Sequence, residues 1–187
     1  MIKKLGLVNP NDDVDFFRVS STKYILELSK KSNLVIFYAD EIWDGKQTES
    51  HYFKSFKLKP NQAAEIGLLI DSLNILPIPS DKFIEDWSQG FDGITYVIEW
   101  KKDNQYSFKR YWTPSATINL QEARVLSDFA DRQLDNIIDY QVKKKLFEKE
   151  IPFYSWRYNG AIITKAISDM KAFRQYKRKK RKQLKDQ

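Results

Sequence analysis

The residues best suited to acid–base catalysis are four carboxylates in the middle of the chain, Glu85, Asp86, Asp92 and Glu99. A hydrolase of the glycosidase type needs two such groups about 5–10 Å apart with different pKa values. Each of the four also has a structural explanation. Asp92-Gly93 is typical of a turn, Glu99 suits a cross-strand ion pair, and the other two suit a helix surface. A carboxylate-based hydrolase is therefore the third of three hypotheses for the function.

The composition excludes most other active-site chemistry. The chain has no cysteine, which rules out disulfides, thiol nucleophiles and cysteine-bound zinc. Its one histidine, His51, begins a strand-like run of aromatic residues, where a locally bonded edge residue is a better interpretation than a catalytic base. Neither a glycine-rich phosphate-binding pattern nor a complete calcium-binding loop occurs. We therefore predict no catalytic residue, no cofactor and no metal site, and a non-enzymatic function is favoured.

A run of six basic residues stands near the C-terminus: Lys177, Arg178, Lys179, Lys180, Arg181 and Lys182. Residues 171–187 hold nine basic residues and one acidic residue, whereas residues 1–170 hold 23 basic and 24 acidic residues. The basic character of the chain is thus confined to its tail. Such a tail attracts phosphates through counterion release, so association with nucleic acid or an acidic partner is the second hypothesis. The alternative is a solvated helix end whose cations favour the helix dipole.

The leading hypothesis is a non-catalytic binding or interaction module with a protein partner of unknown identity. Aromatic residues dominate the energetics of protein interfaces. Four tryptophans are therefore candidates for an interaction surface: Trp43, Trp87, Trp100 and Trp156. Each of them could instead belong to the hydrophobic core, so their exposure decides between the two interpretations.

The sequence contains no signal for export or membrane insertion. The apolar run at residues 5–8 is too short for a signal peptide, and a polar segment follows it directly. No apolar stretch approaches the roughly 18 residues that a membrane helix requires. We therefore expect a cytoplasmic protein with no membrane role.

Alternation of apolar and polar residues predicts a sheet. The predicted strands cover residues 24–28, 34–38, 51–58, 94–100 and 106–112. The last two form a hairpin with a five-residue turn, Lys101 to Gln105, that would place Trp100 opposite Tyr106. The polar residues 40–50 are predicted to form a loop.

Helical spacing of apolar residues predicts helices over residues 60–73 and 119–151, a short helix over 80–87, and a last helix from about residue 162. The apolar row of the second helix drifts around its axis, so this helix should bend or meet more than one surface. Together the elements predict an α+β fold with a mainly antiparallel sheet of about five strands packed against helices, and long C-terminal helices. We expect a single α+β domain over residues 1–170 and a basic helical tail over residues 171–187.

The central hairpin carries a recognisable pattern, which reads D-G-I-T-Y-V-I-E over residues 92–99, followed by Tyr106 and by R-Y-W-T-P over residues 110–114. This pattern resembles a family of bacterial proteins of unknown function with a D-G-x-x-[WY]-x-[IL]-E and R-x-W-x-P hairpin. The Leu58-Lys59-Pro60 helix start is similar to that group as well, and the likeness spans about residues 50–115. The resemblance implies a shared fold and a bacterial source. It implies no activity and no functional residues.

Overall fold

The computed structural model describes residues 5–12 and 14–183. Within these residues the chain forms eight strands: β1 (Phe16–Ser20), β2 (Ile25–Ser29), β3 (Asn33–Trp43), β4 (Lys46–Lys57), β5 (Thr95–Lys102), β6 (Gln105–Trp112), β7 (Ser155–Tyr158) and β8 (Ala161–Thr164). The α-helices are α1 (Pro60–Ser72), α2 (Gln121–Ser127), α3 (Leu134–Ile137), α4 (Tyr140–Glu150) and α5 (Met170–Gln183). A π-helical segment, Asp128–Gln133, joins α2 to α3, and 3-10 turns lie at Asp81–Phe83 and Pro114–Thr117. The α+β class with an antiparallel sheet is confirmed.

All strands form one antiparallel sheet in the order β6-β5-β1-β2-β3, and β3 is shared among three neighbours. Along one edge β3 pairs with β4 over most of its length. Along its other edge it pairs first with β2 and then, at Asp40 and Glu41, with β7, which in turn pairs with β8. The end of β3 therefore carries a small second wing of the sheet, made of β4, β7 and β8.

The prediction of about five strands was wrong, and so was the loop over residues 40–50. β3 and β4 continue through that segment as a long hairpin closed by Asp44 and Gly45, which both have positive φ (51° and 75°). Positive φ at both central residues is the two-residue hairpin turn that Asp-Gly favours. The first half of β4 is polar because it is an exposed strand of the sheet, and exposed polar strands resemble loops in a hydropathy pattern.

The predicted register of the β5–β6 hairpin was also wrong by one residue. Its turn is the two-residue pair Asp103-Asn104, both with positive φ (49° and 62°), rather than a five-residue loop. Trp100 consequently lies opposite Ser107, and Lys101 lies opposite Tyr106. A shift of one residue in register changes the cross-strand partner of every side chain, so Glu99 lies opposite Phe108.

The long C-terminal helices that we predicted do not form. The helix predicted over residues 119–151 is interrupted by the π-helical segment and then by Asp139, whose φ is 54°. These interruptions offset the drift of the apolar row around the helix axis. Leu134, Ile138 and Phe147 are fully buried as a result, whereas Val142 is exposed to solvent. The last helix begins at Met170 rather than near residue 162, because residues 161–164 are taken up by β8.

The hydrophobic core lies between one face of the sheet and helices α1 to α4. Phe37 of β3 is at its centre and contacts the rings of Phe56, Tyr140, Phe147 and Tyr158 at centroid distances of 5.6–6.5 Å. On the opposite face, Leu5 and Leu7 cover Ile36 and form a second, smaller cluster. Among the described residues, no helix is both long and apolar enough to cross a membrane.

Candidate binding groove

Helix α5 carries the predicted basic run, and the structure docks it onto the wing of the sheet. Its apolar contacts come from Phe173 and Tyr176, whose rings each lie 4.8 Å from the ring of Tyr154. Tyr176 also lies 5.9 Å from Trp43 at the end of β3. The tail therefore begins as a packed helix rather than as a solvated extension of the chain.

A buried carboxylate, Glu41, holds the second half of α5. Its side chain is 1% exposed and accepts hydrogen bonds from the Tyr176 hydroxyl, the Lys180 ammonium and the Thr48 hydroxyl, the last at 2.8 Å. Lys180 is itself buried and donates a further bond to Ser50 at 3.1 Å. Burial acts to raise the pKa of Glu41, but these hydrogen bonds outweigh it and lower the pKa.

Between α5 and the wing lies a cavity of about 270 Å³, which we call the α5 groove. Its wall is formed by three aromatic and three cationic side chains: Trp43, Tyr154, Phe173, Lys165, Lys177 and Arg181. Asp44, Ile42 and Ile167 complete the lining together with small hydroxyl residues of β7 and β8. Apart from Asp44 at the β3–β4 turn, the charged groups of the groove are cations.

Most cations of α5 lie on its exposed surface, including Arg181 at the edge of the α5 groove. Lys171, Arg174, Arg178, Lys179, Arg181 and Lys182 are exposed. Arg174, Arg178 and Arg181 follow one another at four- and three-residue steps, so they line one face of the helix. Among the described residues, Lys180 is the only cation of α5 within ion-pair distance of a carboxylate. The predicted basic run thus divides into one buried anchor, one half-buried groove residue (Lys177) and four exposed cations.

The four candidate tryptophans lie in three different environments. Trp43 is half-buried and lines the α5 groove. Trp100 is half-buried and lines a separate cavity between α1 and the sheet. Trp87 and Trp156 are core residues, 7% and 4% exposed, and Trp87 donates its indole N–H to the carbonyl of Trp112 at 2.8 Å. Only two of the four can therefore contact a ligand without rearrangement of the core.

The four candidate carboxylates lie either on the exposed surface or in an ion pair. Glu85, Asp86 and Asp92 are exposed on the surface. Glu99 lies 3.2 Å from Arg18 and accepts a hydrogen bond from Tyr106 at 2.8 Å. His51 is bonded to Asp40 at 2.7 Å on the exposed part of β4. Each of these side chains is thus either exposed to solvent or engaged in a local ion pair or hydrogen bond. The described residues contain no group of three or more His, Cys, Asp or Glu side chains that could hold a metal ion.

One titratable cluster was missed by the sequence reasoning. Lys23 bridges Asp131 and Asp135 at 3.1 and 3.2 Å, and the hydroxyls of Tyr24 and Tyr96 donate to the same two carboxylates. Burial raises the pKa of Asp135 even though Lys23 opposes this effect. The cluster ties the π-helical segment to the sheet, and its members satisfy one another. The sequence offered one signal for this cluster, the four-residue spacing of the two aspartates. That spacing is also common on the exposed face of an ordinary helix, so it does not indicate a buried cluster.

Comparison with known proteins found no family model that matches the chain and no curated protein that matches its sequence. The resemblance of residues 92–114 to a bacterial hairpin family therefore stays a prediction. The function has to be argued from the groove itself.

Proposed function

We propose that this protein is a non-catalytic binding module and that its ligand is single-stranded nucleic acid, held in the α5 groove. The observation that carries the proposal is the convergence of aromatic rings and cations on one cavity, although these residues come from four separate segments of the chain. Proteins that bind single strands without reading sequence combine a positive groove with aromatic side chains on which bases stack.

The charge distribution supports a phosphate-bearing ligand. Lys177 and Arg181 lie in the groove wall, and Arg174 and Arg178 extend the positive surface along the helix. Helix α5 contains no acidic residue that would offset these charges. Several cations along one helix can neutralise several phosphates of a flexible backbone, and binding of this kind depends strongly on salt.

The aromatic lining favours a nucleic acid over an acidic protein. An acidic peptide needs cations but gains little from Trp43 and Tyr154, whereas a nucleobase presents a flat face to such rings. The groove is smaller than a typical pocket for a drug-sized ligand, so it suits one planar group with the rest of the strand along α5.

The test is fluorescence anisotropy of a labelled 12-nucleotide oligo(dT) at several salt concentrations. The double variant Lys177→Gln, Arg181→Gln removes two groove cations and should weaken binding and reduce the salt slope by about 1.4, since each single-strand phosphate contact contributes about 0.7. The matched control is Lys145→Gln, Lys149→Gln, which removes two exposed cations from α4 and should leave binding nearly unchanged.

A second variant separates stacking from charge. Trp43→Leu keeps an apolar side chain but removes the ring, and we expect roughly a 5- to 150-fold loss of affinity with an unchanged salt slope, from about 1–3 kcal/mol per stacked base. An equal loss in the α4 control would show diffuse attraction and overturn the groove as the site. Absence of saturable binding by the wild type at low salt would overturn the nucleic-acid proposal.

A further inference from the structure

A second cavity lies between α1 and the sheet and shares no lining residue with the α5 groove. We call it the α1 cavity, and its volume is about 490 Å³. Its apolar wall is formed by Phe17, Leu28, Ile70, Leu76 and Trp100. The recess is wide open to solvent, and its wall is mostly apolar with a few polar groups at the rim, which is the kind of lining that small-molecule sites have.

The helix that covers this cavity contains a glycine at its middle. Gly67 lines the cavity, and a Cβ atom placed on it would meet no atom within 4 Å. Glycine is a poor residue for a helix interior, and here neither a close backbone approach nor a positive φ requires it. A side chain at this position would therefore extend into open space at the wall of the cavity.

The rim of the cavity is polar and carries unpaired lysines. Lys30 and Lys102 are exposed at the rim and have no ion pair among the described residues. Lys101 is occupied, since it donates to the backbone carbonyls of Pro10 and Asp12. Of the two rim aspartates, Asp15 accepts the backbone N–H of Asp103 at 3.2 Å, and Asp71 lies on α1.

We propose that the α1 cavity binds a small amphipathic carboxylate. The apolar chain of the ligand lies against Trp100 and Ile70 beneath Gly67, and its carboxylate lies at the rim with Lys30 and Lys102. Burial of the chain supplies most of the affinity, and the two lysines favour an acid over a neutral or cationic head group. This site is independent of the α5 groove and of the function proposed for it.

The experiment is an NMR titration of the ¹⁵N-labelled protein with decanoate below its micelle-forming concentration. We expect saturable shifts of the Gly67 amide and the Trp100 indole N–H. Gly67→Leu fills the space beneath α1 and should weaken binding at least tenfold. Ala64→Leu adds a leucine at an exposed position of the same helix, outside the cavity lining, and should bind decanoate as the wild type does.

The head-group preference is tested separately with decanol and with the variant Lys30→Gln, Lys102→Gln, which changes only exposed residues. The variant should bind decanoate less tightly and decanol unchanged. Equal affinity of the wild type for decanol and decanoate would overturn the carboxylate class. Unweakened binding by Gly67→Leu, or shifts that fall elsewhere in the protein, would overturn the site.

Discussion

Arg18 provides the sharpest test of how the sheet is held together, because it is a charged residue in the middle of a buried sheet face. The side chain is 2% exposed. Its guanidinium donates two hydrogen bonds to Glu27 at 3.0 and 2.7 Å and one to Glu99 at 3.2 Å. Glu27 is fully buried and also accepts the backbone N–H of Val8 at 3.1 Å. The pair therefore joins β1, β2 and the N-terminal segment.

We expect Arg18→Met to lower the free energy of unfolding by about 3–5 kcal/mol, because it leaves the carboxylate of Glu27 buried without its counter-charge. That is a large part of the total stability of a domain, which is about 5–15 kcal/mol. The double variant Arg18→Met, Glu27→Gln should recover about half of this loss or more. The amide of glutamine needs no counter-charge, and its oxygen still accepts the Val8 N–H.

The measurement is urea unfolding at pH 7, followed by circular dichroism and tryptophan fluorescence, for the wild type, both single variants and the double variant. The double-mutant cycle gives the coupling free energy between the two side chains. Lys31→Met is the control: Lys31 lies 3.8 Å from Asp12 in an exposed ion pair, and such pairs contribute about 0.2–1 kcal/mol.

Two results would refute the reasoning. A loss below about 1 kcal/mol for Arg18→Met would mean that Glu27 is readily hydrated, so that the burial of this face is not maintained in solution. A double variant no more stable than Arg18→Met alone would mean that the loss arises from packing of the arginine stem rather than from the uncompensated charge.

Three further predictions concern the helices. Glu41→Ala should release α5 and make it sensitive to trypsin, while the main unfolding transition of the domain stays unchanged, because Lys180 loses its buried partner and can reach solvent. In the wild type the pKa of Glu41 is lowered, so its contribution to the docking of α5 is fully present above its ordinary pKa of 4.5 and is lost as the pH falls through the lowered pKa. The hydrogen-exchange protection factors of α5 amides, corrected for the intrinsic exchange rate at each pH, should therefore fall only below about pH 4.5. Gly67→Ala should raise the stability by about 1 kcal/mol in thermal or urea unfolding, because alanine is the better helix former and its Cβ meets no atom.

The parts of the fold that the sequence predicted were those with a strong local signal. Helix α1 begins at Pro60 as expected, and Ile66 and Ile70, two residues of its predicted apolar stripe, lie on its buried face. The β5–β6 hairpin exists, but its register depended on whether Asp103-Asn104 would form a two-residue turn, and that choice has no hydrophobic signature.

The candidate groove could be predicted only in part. Trp43 was named as a possible contact residue, but nothing in the local sequence joins it to Tyr176. The connection is made by Glu41, 135 residues before Tyr176 in the chain, in a segment whose polarity indicated a loop. Because the sequence does not show which strands are neighbours, the partner of a buried lysine such as Lys180 could not be inferred from its spacing.

The anchoring of α5 by a single buried carboxylate bears on what the helix is for. A tail that only attracted polyanions through its charge would need no fixed structure, since counterion release does not depend on orientation. Burying Glu41 and Lys180 together instead costs desolvation, and we infer that the contribution of this pair is to fix one geometry of α5. In this fold that geometry turns Arg174 and Arg178 outward and places Lys177 beside Trp43 in the groove. Under the proposed function, docking supplies the fixed arrangement of cations and rings on which bases would stack. Loss of oligonucleotide binding on Glu41→Ala would then distinguish this role from simple attraction by the charge of the tail.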